Sequence, residues 1–533
     1  MHPEGLEPPI TVPKTVVISI SPRVRTNEII AYYSLKSKSC YTMWLNMKLD
    51  NIPKEVVQIA ETLENKGFEA FLVGGCVRDL IINREPKDWD LTTNATPEQI
   101  IALFTETFYE NKFGTVGVKT ENEDPRLHVV EVTPYRTEGT YSDNRHPDVV
   151  SFGHSLEEDL KRRDFTMNAI AYNISKGQII DPYKGQDDIR DKVIKTVGEA
   201  GDRFREDALR MLRAIRFSAE LGFTINIDTF SAIQNNVSLM ANVSKERIKD
   251  EFTKIIMSSN PMIGMGVAQK IGFIKYIAPA LEESIGVEQN KQAHKYDVWE
   301  HLLRTLQHAA DKNFPLEVRL AALFHDISKP ETKRETNGKT SFFGHDVIGA
   351  RVTRETLKNL TFSREVIKKV GDLVRWHMFF SDTEEISLSA VRRLVRNVGR
   401  EHIWDLINLR MCDRIGSGRP KEEPYRLRKF QSMIEEVSRD PISVSMLEID
   451  GNVLMKELGI MPGPIIGHIL NALLEEVLED PKKNTAEYLK VKAEELAKLD
   501  IKTLEKLGAV ARETKERAEE EELAELRKKR HVK

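Results

Sequence analysis

The chain has 533 residues, 40% of them hydrophobic and 30% charged, a balance typical of a globular protein long enough for several compact domains. The formal net charge is only −4, so nucleic-acid binding would depend on local basic patches, such as residues 161–163 or Arg392 and Arg393 with Arg396 and Arg400. No run of about eighteen apolar residues occurs, so we expect no membrane span, and three widely spaced cysteines favour a reducing, cytoplasmic location over a disulfide framework.

The first 46 residues differ from the rest of the chain. They contain five prolines and a short β-branched run, but they show no clear helical or strand period. A secretory signal needs a basic start followed by an apolar core, and this segment has neither. We expect that Met43 or Met47 is the true start and that residues 1–46 carry no function.

Regular structure is predicted from Met47 onward. Val56, Ala60 and Leu63 fall on one face of an amphipathic helix that should end at Gly67. Strand signals then alternate with helical ones, and the strands are expected at residues 70–73, 88–92, 115–119 and 128–134. From about residue 200 almost every segment has helical spacing, with polar breaks near residues 258–261, 313–315, 417–424 and 440–443. The predicted fold class is α+β, with a mixed-sheet head followed by a long all-α region.

A buried strand leads into Gly74 and Gly75, after which a helix is expected to begin. Glycines at a strand-to-helix turn allow backbone N–H groups to approach a phosphate, and the helix N-terminus adds a favourable dipole. A Gly-Gly turn alone, however, is more often purely structural. The turn therefore predicts a phosphate site only in combination with other residues.

Two carboxylates follow this turn. On a strand, Asp88 and Asp90 point to one face while Trp89 points to the other. Two like charges so placed are costly unless a cation compensates them, and magnesium is commonly shared between one or two carboxylates and substrate phosphates. Glu131, on a later strand, would complete the set. An isolated Asp-x-Asp is mostly a surface strand or turn, so this signal also depends on its context.

The combination of motifs is more specific than its parts. Leu72-Val73-Gly74-Gly75-x-Val77-Arg78-Asp79 and Arg84-x-Pro86-x-Asp88-x-Asp90-Leu91-x-Thr93 resemble the family of class II CCA-adding tRNA nucleotidyltransferases and bacterial poly(A) polymerases. Four further segments of the family follow in order, at residues 136–147, 160–169, 181–185 and 206–213. The resemblance covers about residues 47–495.

The resemblance implies template-independent addition of C, C and A from CTP and ATP to the 3′ end of tRNA, with Mg²⁺ as cofactor. It implies catalytic, magnesium-binding roles for Asp88 and Asp90, assisted by Glu131. Nucleotide-binding roles fall on Gly74, Gly75, Arg78, Arg163, Asp164, Asn168, Asp207, Arg210, Arg213 and Arg216. The family's flexible loop corresponds to residues 139–147 and is expected to take part in the switch from C to A.

Asp207 and Arg210 permit an argument about base choice. Three apart on an expected helix they would face the same way, and without context such a pair is most often a structural salt bridge. A carboxylate only accepts hydrogen bonds and a guanidinium only donates them, which matches the amino group and ring nitrogen of cytosine or adenine. Uracil and guanine would leave protein groups unpaired. The pair therefore predicts use of CTP and ATP and rejection of UTP and GTP.

A histidine-rich stretch lies between residues 294 and 413. His325 and Asp326 follow an apolar helical run, and burying both side chains requires a metal or polar partners. The stretch resembles the HD-superfamily metal-dependent phosphohydrolases. The resemblance implies divalent transition-metal ligands at His301, His325, Asp326 and Asp413, with His345 and His377 available for a second metal and His294 as an outer-shell candidate. Hydrolysis of 2′,3′-cyclic phosphates or phosphate esters would then remove damaged RNA ends, and a metal-free relic is the alternative.

The resemblance also divides the chain into segments. They are an N-terminal extension (1–46), a nucleotidyltransferase head (47–198), a nucleobase-reading neck (199–260), a helical HD domain (261–430) and a helical tRNA-binding body with a charged tail (431–533). The implied partners are tRNA, through its 3′ end and acceptor arm, together with CTP and ATP.

Three alternatives stay open. A poly(A) polymerase shares most of these motifs, and a long basic tail with use of ATP alone would favour it. A partial enzyme adding only A or only CC is the second, and the loop at residues 139–147 argues against CC alone but does not exclude A alone. The third is an HD metal phosphohydrolase whose head is an RNA-binding module, which the paired Asp88 and Asp90 disfavour.

Overall fold

The computed structural model describes residues 51–109, 114–138, 150–152, 155–289, 295–336, 339–379, 386–438, 443–499 and 503–504. The expectations for residues 1–46, for the loop at 139–147, for His294 and for the charged tail beyond residue 504 lie outside these described residues.

The head begins with helix α1 (Lys54–Asn65). Its buried residues are Val56, Ile59, Ala60 and Leu63, the face that the sequence period predicted. Gly67 follows with φ of 83°, a left-handed conformation in which a β-carbon would be strained. The helix and its end are therefore confirmed.

One mixed sheet forms the centre of the head. Its strands are β1 (Phe71–Val73), β2 (Asp90–Thr93), β3 (Thr107–Tyr109), β4 (Val116–Lys119), β5 (Val129–Pro134), β8 (Ala171–Asn173) and β9 (Gln178–Ile180). The strand order is β3-β4-β5-β2-β1-β8-β9. Strands β2 and β5 are parallel, and the other neighbours are antiparallel. All four strands expected from the sequence are present, so the mixed sheet is confirmed.

The helices of the head are α2 (Gly75–Ile81), α3 (Pro97–Leu103), α4 (Leu156–Lys161) and α5 (Gly185–Arg190), and a separate hairpin joins β6 (Arg136–Glu138) to β7 (Val150–Phe152). The first residue of α5 is a glycine, Gly185, because the backbone there passes too close to Thr166 for a side chain. An added β-carbon would lie 2.2 Å from the Thr166 carbonyl oxygen. Asp181 fixes the same turn by accepting hydrogen bonds from the backbone N–H groups of Gly185 and Gln186. The connector segment at residues 181–185 is thus a structural turn.

Helices make up most of the described chain beyond residue 199. They are α6 (Ala200–Glu206), α7 (Leu209–Leu221), α8 (Ile227–Asn236), α9 (Lys245–Met257), α10 (Pro261–Ile271), α11 (Ile274–Ile277), α12 (Pro279–Glu282), α13 (Val298–Asp311), α14 (Leu316–Phe324), α15 (Lys329–Thr332), α16 (His345–Asn359), α17 (Arg364–Trp376), α18 (Leu388–Val398), α19 (Ile403–Gly416), α20 (Tyr425–Val437), α21 (Gly451–Lys456), α22 (Pro464–Glu479) and α23 (Ala486–Ala497). The polar breaks expected near residues 258–261, 313–315 and 417–424 separate successive helices, and part of the fourth lies outside the described residues. None of the described helices is both long and apolar enough to cross a membrane.

The helical region expected from the sequence is confirmed, and two short strand pairs accompany it. Strand β10 (Val193–Ile194) pairs in parallel with β11 (Thr224–Ile225), and β12 (Arg334–Thr336) forms a hairpin with β13 (Lys339–Ser341). These strands have two or three residues, too few for a period-two pattern to emerge from the sequence.

A buried arginine joins α9 to the helices that follow. Arg319 on α14 is only 4% exposed, and its guanidinium donates to the carbonyl oxygens of Ile256, Ser258 and Phe314. Carbonyl groups at the ends of helices lack partners within the helix, so the guanidinium satisfies groups that burial would otherwise leave unpaired.

The basic patch on α18 is engaged within the protein. Arg393 binds Glu479 and Arg396 binds Glu475, while Arg392 donates to the carbonyl oxygen of Leu478. All three acceptors belong to α22. These contacts join α18 to α22, so the three arginines have partners within the protein.

Candidate active site and metal centre

The carboxylates of the head lie along the edge where β2 begins. Asp90 is the first residue of β2 and lies directly opposite Glu131 on the parallel strand β5. Trp89 is buried at 4% exposure, whereas Asp88 is exposed and precedes the strand. The strand starts later than predicted, so Asp88 lies outside it, but oxygens of both Asp88 and Asp90 lie close to the Gly74-Gly75 turn.

The Gly-Gly turn brings the backbone close to these acids and to two arginines. Gly74 has φ of 77°, and a β-carbon added there would lie 3.1 Å from Arg163 Nη1 and 3.4 Å from Asp90 Oδ2. A β-carbon on Gly75 would lie 3.6 Å from Arg78 Nη2 and 3.9 Å from Asp88 Oδ1. Glycine is needed at position 74 for both its conformation and its space.

A cavity of about 290 Å³ opens beside this turn. Nine of its lining residues are among the predicted site residues: Gly74, Gly75, Asp90, Arg163, Asp164, Asn168, Asp207, Arg210 and Arg213. Three more were not predicted, namely Arg162, Leu209 and Arg247. The cavity thus combines carboxylates, a glycine turn and several arginines in one space, a composition suited to a phosphate-bearing ligand.

Buried acids hold the arginines of the cavity in place. Asp164 accepts hydrogen bonds from Arg213 Nε at 2.7 Å, from the Asn168 amide at 3.1 Å and from the Phe165 N–H at 2.8 Å. Burial alone would raise the pKa of Asp164, but the nearby Arg213 and Arg210 lower it to about 2. Asp164 therefore remains ionised at neutral pH and orients Arg213.

A second acid orients the arginines before it in the sequence. Asp159 is buried, and it accepts hydrogen bonds from Arg162 Nη2 at 2.6 Å and Arg163 Nη2 at 3.1 Å. Burial would raise the pKa of Asp159, but Arg163 and Arg162 lower it. The two arginines are thus held at the cavity wall, and the basic segment at residues 161–163 contributes to the site as the charge pattern suggested.

The structure differs from the single helix expected around Asp207 and Arg210. Asp207 is extended, with φ of −143°, and it separates α6 from α7, whereas Arg210 lies in the first turn of α7. Asp207 accepts a hydrogen bond from the Leu209 N–H at 3.0 Å, a contact of the kind that favours Asp at helix starts. Both side chains nevertheless line the cavity, because the break turns Asp207 toward the same side.

Two of the predicted nucleotide-binding arginines do not line the cavity. Arg216 is 7% exposed and binds Glu251 at 3.0 Å, with its guanidinium 4.3 Å from the centre of the Phe217 ring. Arg78 binds Asp79 and the side-chain oxygen of Asn168. Their contacts indicate that these arginines support the cavity from behind rather than face it.

The second cluster lies in the helical region. His301 (on α13), His325 and Asp326 (after α14), His345 (on α16) and His377 (after α17) are all buried. Within the described chain, two groups have ligand atoms that all lie within 4.8 Å of one another: His301, His325 and Asp326, and Asp326, His345 and His377. Asp413 on α19 lies 3.4 Å from His301 Nε2 and so adds to the first group. Helices distant in sequence therefore bring together the six residues predicted for this centre.

Asp326 belongs to both groups through different oxygens. Its Oδ2 lies 3.2 Å from His301 Nε2 and 3.3 Å from His325 Nε2. Its Oδ1 lies 3.3 Å from His345 Nε2 and 3.6 Å from His377 Nε2. A carboxylate so placed has the geometry of a bridge between two cations.

The histidine tautomers also fit a metal. Nδ1 of His325, His345 and His377 lies 3.0, 2.6 and 2.7 Å from the carbonyl oxygens of Ala322, Phe342 and Val374, respectively. A carbonyl only accepts, so Nδ1 carries the proton and Nε2 of the neutral ring presents a lone pair. The Nε2 atoms of His345 and His377 are 3.3 Å apart, and those of His301 and His325 are 2.9 Å apart. Nitrogens facing each other at these distances need either a proton shared between the rings or a metal ion between them.

Charged neighbours within the cluster shift the pKa values of His325 and Asp326. Burial alone would lower the pKa of His325, but Asp326 raises it. Burial would raise the pKa of Asp326, whereas Lys329 and His325 hold it well below its usual range. Asp326 therefore stays ionised, with the cationic Lys329 beside it at 2.6 Å. The cluster's donor set of imidazole nitrogens and carboxylates is one that divalent transition metals prefer.

Comparison with known families gives three matches along the chain. A model described as the poly A polymerase head domain matches residues 70–195. A model described as "Probable RNA and SrmB- binding site of polymerase A" matches residues 222–285, and the HD domain model matches residues 298–411. Nucleotidyltransferase and HD domains generally use divalent metals, and the two clusters described above contain groups suited to hold them.

Relatives with assigned names agree with these matches. The CCA-adding enzyme of Lactobacillus delbrueckii subsp. bulgaricus is 32% identical over 453 residues, which cover 84% of this chain and all of that protein. The CCA-adding enzyme of Geobacillus kaustophilus is 43% identical over 244 residues, or 46% of this chain. That match spans 59% of the Geobacillus protein, and matches to two further Geobacillus enzymes span 55% and 49% of their lengths.

Solved structures are similar over most of the chain. The crystal structure of the Bacillus stearothermophilus CCA-adding enzyme in complex with CTP has a TM-score of 0.64 and 29% identity, covering 83% of this chain and 96% of that chain. The Thermotoga maritima CCA-adding enzyme complexed with tRNA has a TM-score of 0.52 and 19% identity, covering 84% and 97%. The first supports common ancestry, and the second shows the shared fold.

Proposed function

This chain belongs to the family of CCA-adding enzymes, and we propose that it adds C, C and A in turn to the 3′ end of tRNA from CTP and ATP without a nucleic-acid template. The observation that carries the proposal is the single cavity that Asp90, Arg163, Asp207 and Arg210 share. It combines a carboxylate edge suited to magnesium, donors for phosphates, and one acceptor and one donor residue for a base.

In the proposed reaction the 3′ oxygen of the RNA attacks the α-phosphorus of the nucleotide. The new phosphodiester bond forms as the bond to pyrophosphate breaks, and the hydroxyl proton is released. Asp88, Asp90 and Glu131 would hold Mg²⁺, which when bound supplies activation of the hydroxyl and neutralises the leaving phosphates. Arg163, with Nη2 bound to Asp159 and Nη1 beside Gly74, would contact the triphosphate.

Base choice in this proposal depends on Asp207 and Arg210. The carboxylate would accept the exocyclic amino group of cytosine or adenine, and the guanidinium would donate to the neighbouring ring nitrogen. Uracil and guanine present a ring N–H and a carbonyl instead, so they would leave buried polar groups unpaired.

The test of nucleotide addition compares Asp90→Ala with Asp191→Ala, an acid of the same domain whose side chain is 59% exposed. Each protein is incubated with Mg²⁺, labelled CTP and a tRNA that lacks its CCA end. We expect Asp90→Ala to reduce incorporation by roughly 10³-fold, since a lost metal ligand removes several kcal/mol of transition-state stabilisation. Asp191→Ala should match the unaltered protein. Equal activity of all three would contradict the proposal.

A second candidate activity is proposed for the helical cluster, because Asp326 bridges two histidine groups there. We infer hydrolysis of phosphate esters, including 2′,3′-cyclic phosphates at RNA ends, with a divalent transition metal at His301, His325, Asp326 and Asp413 and a second one at Asp326, His345 and His377. When bound, such ions supply an activated water. Lys329 is buried and lies 2.6 Å from Asp326 Oδ2. Its positive charge would help to keep the Asp326 carboxylate ionised.

The hydrolytic proposal has its own test. Replacing His325 and Asp326 together by alanine should abolish metal-dependent hydrolysis of a 2′,3′-cyclic phosphate while nucleotide addition continues at its normal rate. Joint loss of both activities, or hydrolysis that persists in the double variant, would count against two separate sites.

The domain limits at residues 47–198, 199–260, 261–430 and 431–533 belong to the same proposal, with tRNA as the partner of the neck and body. We also propose a cytoplasmic location, which suits the two described cysteines, Cys76 and Cys412, since both are free and buried.

A further inference from the structure

The two residues that face a base in the proposed reaction are each bound by a different charged neighbour. Arg247 Nη1 and Nη2 donate to Asp207 Oδ1 and Oδ2 at 3.1 and 2.7 Å. Arg210 Nη1 donates to Glu206 Oε2 at 2.6 Å. Arg247 comes from the first turn of α9, forty residues beyond Asp207, whereas Glu206 is the last residue of α6.

Without these neighbours Asp207 and Arg210 would be expected to bind each other. A carboxylate and a guanidinium that line the same cavity form a charge-assisted, commonly bidentate pair when they come within reach of each other. Such a pair would use the hydrogen-bonding groups that a base needs. In the described chain each of the two residues is instead held by a partner of its own.

The remaining hydrogen-bonding capacity matches a base. Asp207 receives two bonds from Arg247 and one from the Leu209 N–H, which leaves one of its roughly four acceptor positions. Arg210 donates through Nη1 to Glu206 and, at 3.5 Å, to the Arg203 carbonyl oxygen, and through Nη2 to the Arg162 carbonyl oxygen. Its other N–H groups stay available. One acceptor beside spare donors is what the pairing edges of cytosine and adenine require.

We propose that Arg247 and Glu206 are positioning residues that keep Asp207 and Arg210 apart and oriented for base selection. The two hydrogen bonds from Arg247 fix the plane of the Asp207 carboxylate, and the acceptor position that stays unused is on Oδ2. Loss of Arg247 allows Asp207 to turn toward Arg210, and the two then neutralise each other. This inference rests on the proposed nucleotide selection.

The test measures the selectivity for CTP over UTP in two ways, by equilibrium binding with Mg²⁺ and by single-nucleotide addition to a tRNA that lacks CCA. The variants are Arg247→Met, Asp207→Ala and their combination. The matched control is Lys254→Met, on the same helix and with a side chain that is 52% exposed. Selectivity is a ratio, so a general loss of folded protein does not change it.

We expect Arg247→Met to lower the CTP/UTP ratio on the order of 10- to 100-fold, as expected for a charge-assisted contact. In the Asp207→Ala background the same substitution should leave the ratio unchanged, because the residue that Arg247 positions is gone. If Arg247→Met does not fold, Arg247→Lys supplies the test. Lysine keeps the positive charge but cannot make the two parallel hydrogen bonds to Asp207, so we expect an intermediate CTP/UTP ratio.

An unchanged ratio in a folded Arg247 variant would overturn the inference, and so would an equal fall of the ratio with and without Asp207. The two measurements separate this inference from the proposed function. Selective CTP binding that depends on Arg247, without any addition to tRNA, would refute the enzymatic proposal alone. Addition of C and A with normal selectivity in the Arg247 variant would refute the positioning role alone.

Discussion

Replacing Asp326 by alanine should remove both of the metal ions proposed for the helical cluster, whereas replacing His345 should remove only one. Oδ2 of Asp326 lies 3.2 and 3.3 Å from the Nε2 atoms of His301 and His325, and Oδ1 lies 3.3 Å from that of His345. One carboxylate thus serves both groups, while His345 serves the second group alone. The expected stoichiometry falls from two to none in the first variant and from two to one in the second.

The loss in affinity should be large enough to measure directly. Even residues that only support metal ligands cost about 10- to 100-fold in affinity when removed, so loss of a shared ligand should cost at least this at each position. Each protein is dialysed against a low-micromolar divalent transition metal, and bound metal per chain is measured by mass spectrometry. Asp372→Ala is the control, since that residue lies on α17 and binds Arg354 rather than the cluster.

Two results would refute the bridging geometry. One is an Asp326→Ala protein that retains one equivalent of metal. The other is an unaltered chain that binds a single equivalent under conditions where His345→Ala also binds one.

Four further substitutions test the packing of the protein. Gly185→Ala should destabilise the protein by about 1–3 kcal/mol, because the added β-carbon would meet the Thr166 carbonyl oxygen. Gly266→Ala should stabilise α10 by about 0.5–1 kcal/mol, because a β-carbon there meets nothing within 4 Å. Thermal unfolding measures both effects. Arg319→Met should cost on the order of 3 kcal/mol by leaving three buried carbonyls without their donor, seen in the same assay against the exposed-site control Arg351→Met. Asp164 has a pKa lowered to about 2, so its ionised form contributes about 2 kcal/mol of stability above pH ~4, and this contribution is lost as the pH falls toward 2. Asp164→Asn should therefore flatten the decline of the unfolding temperature across that range, and an unchanged slope would contradict this assignment.

Local patterns were sufficient for much of the fold. The period of Val56, Ala60 and Leu63 predicted helix α1, and the strand signals at residues 70–73, 88–92, 115–119 and 128–134 predicted β1, β2, β4 and β5. The short strands β10–β13 were missed, since two or three residues carry no period. Asp207 was expected within a helix, but its side chain accepts the Leu209 N–H and ends the regular segment.

The candidate sites were predictable only as far as the motifs extended. The six ligands of the helical cluster could be named from sequence, but the two-sided role of Asp326 depends on how four helices pack around it. Arg247 had no signal of its own, because its partner lies forty residues earlier and meets it only through the packing of α9. The arginines of α18 appeared free in sequence because Glu475 and Glu479, which bind them, lie on a distant helix.

The most direct test of the central claim uses purified protein, Mg²⁺ and three tRNAs: one lacking the CCA end, one lacking only the final A, and one complete. Each is incubated with CTP, ATP or both, and the products are resolved at single-nucleotide length. The account predicts growth to the CCA end and a stop there, with no addition to the complete tRNA. Long A tracts, addition of A alone to the tRNA ending in CC, or no addition at all would contradict it.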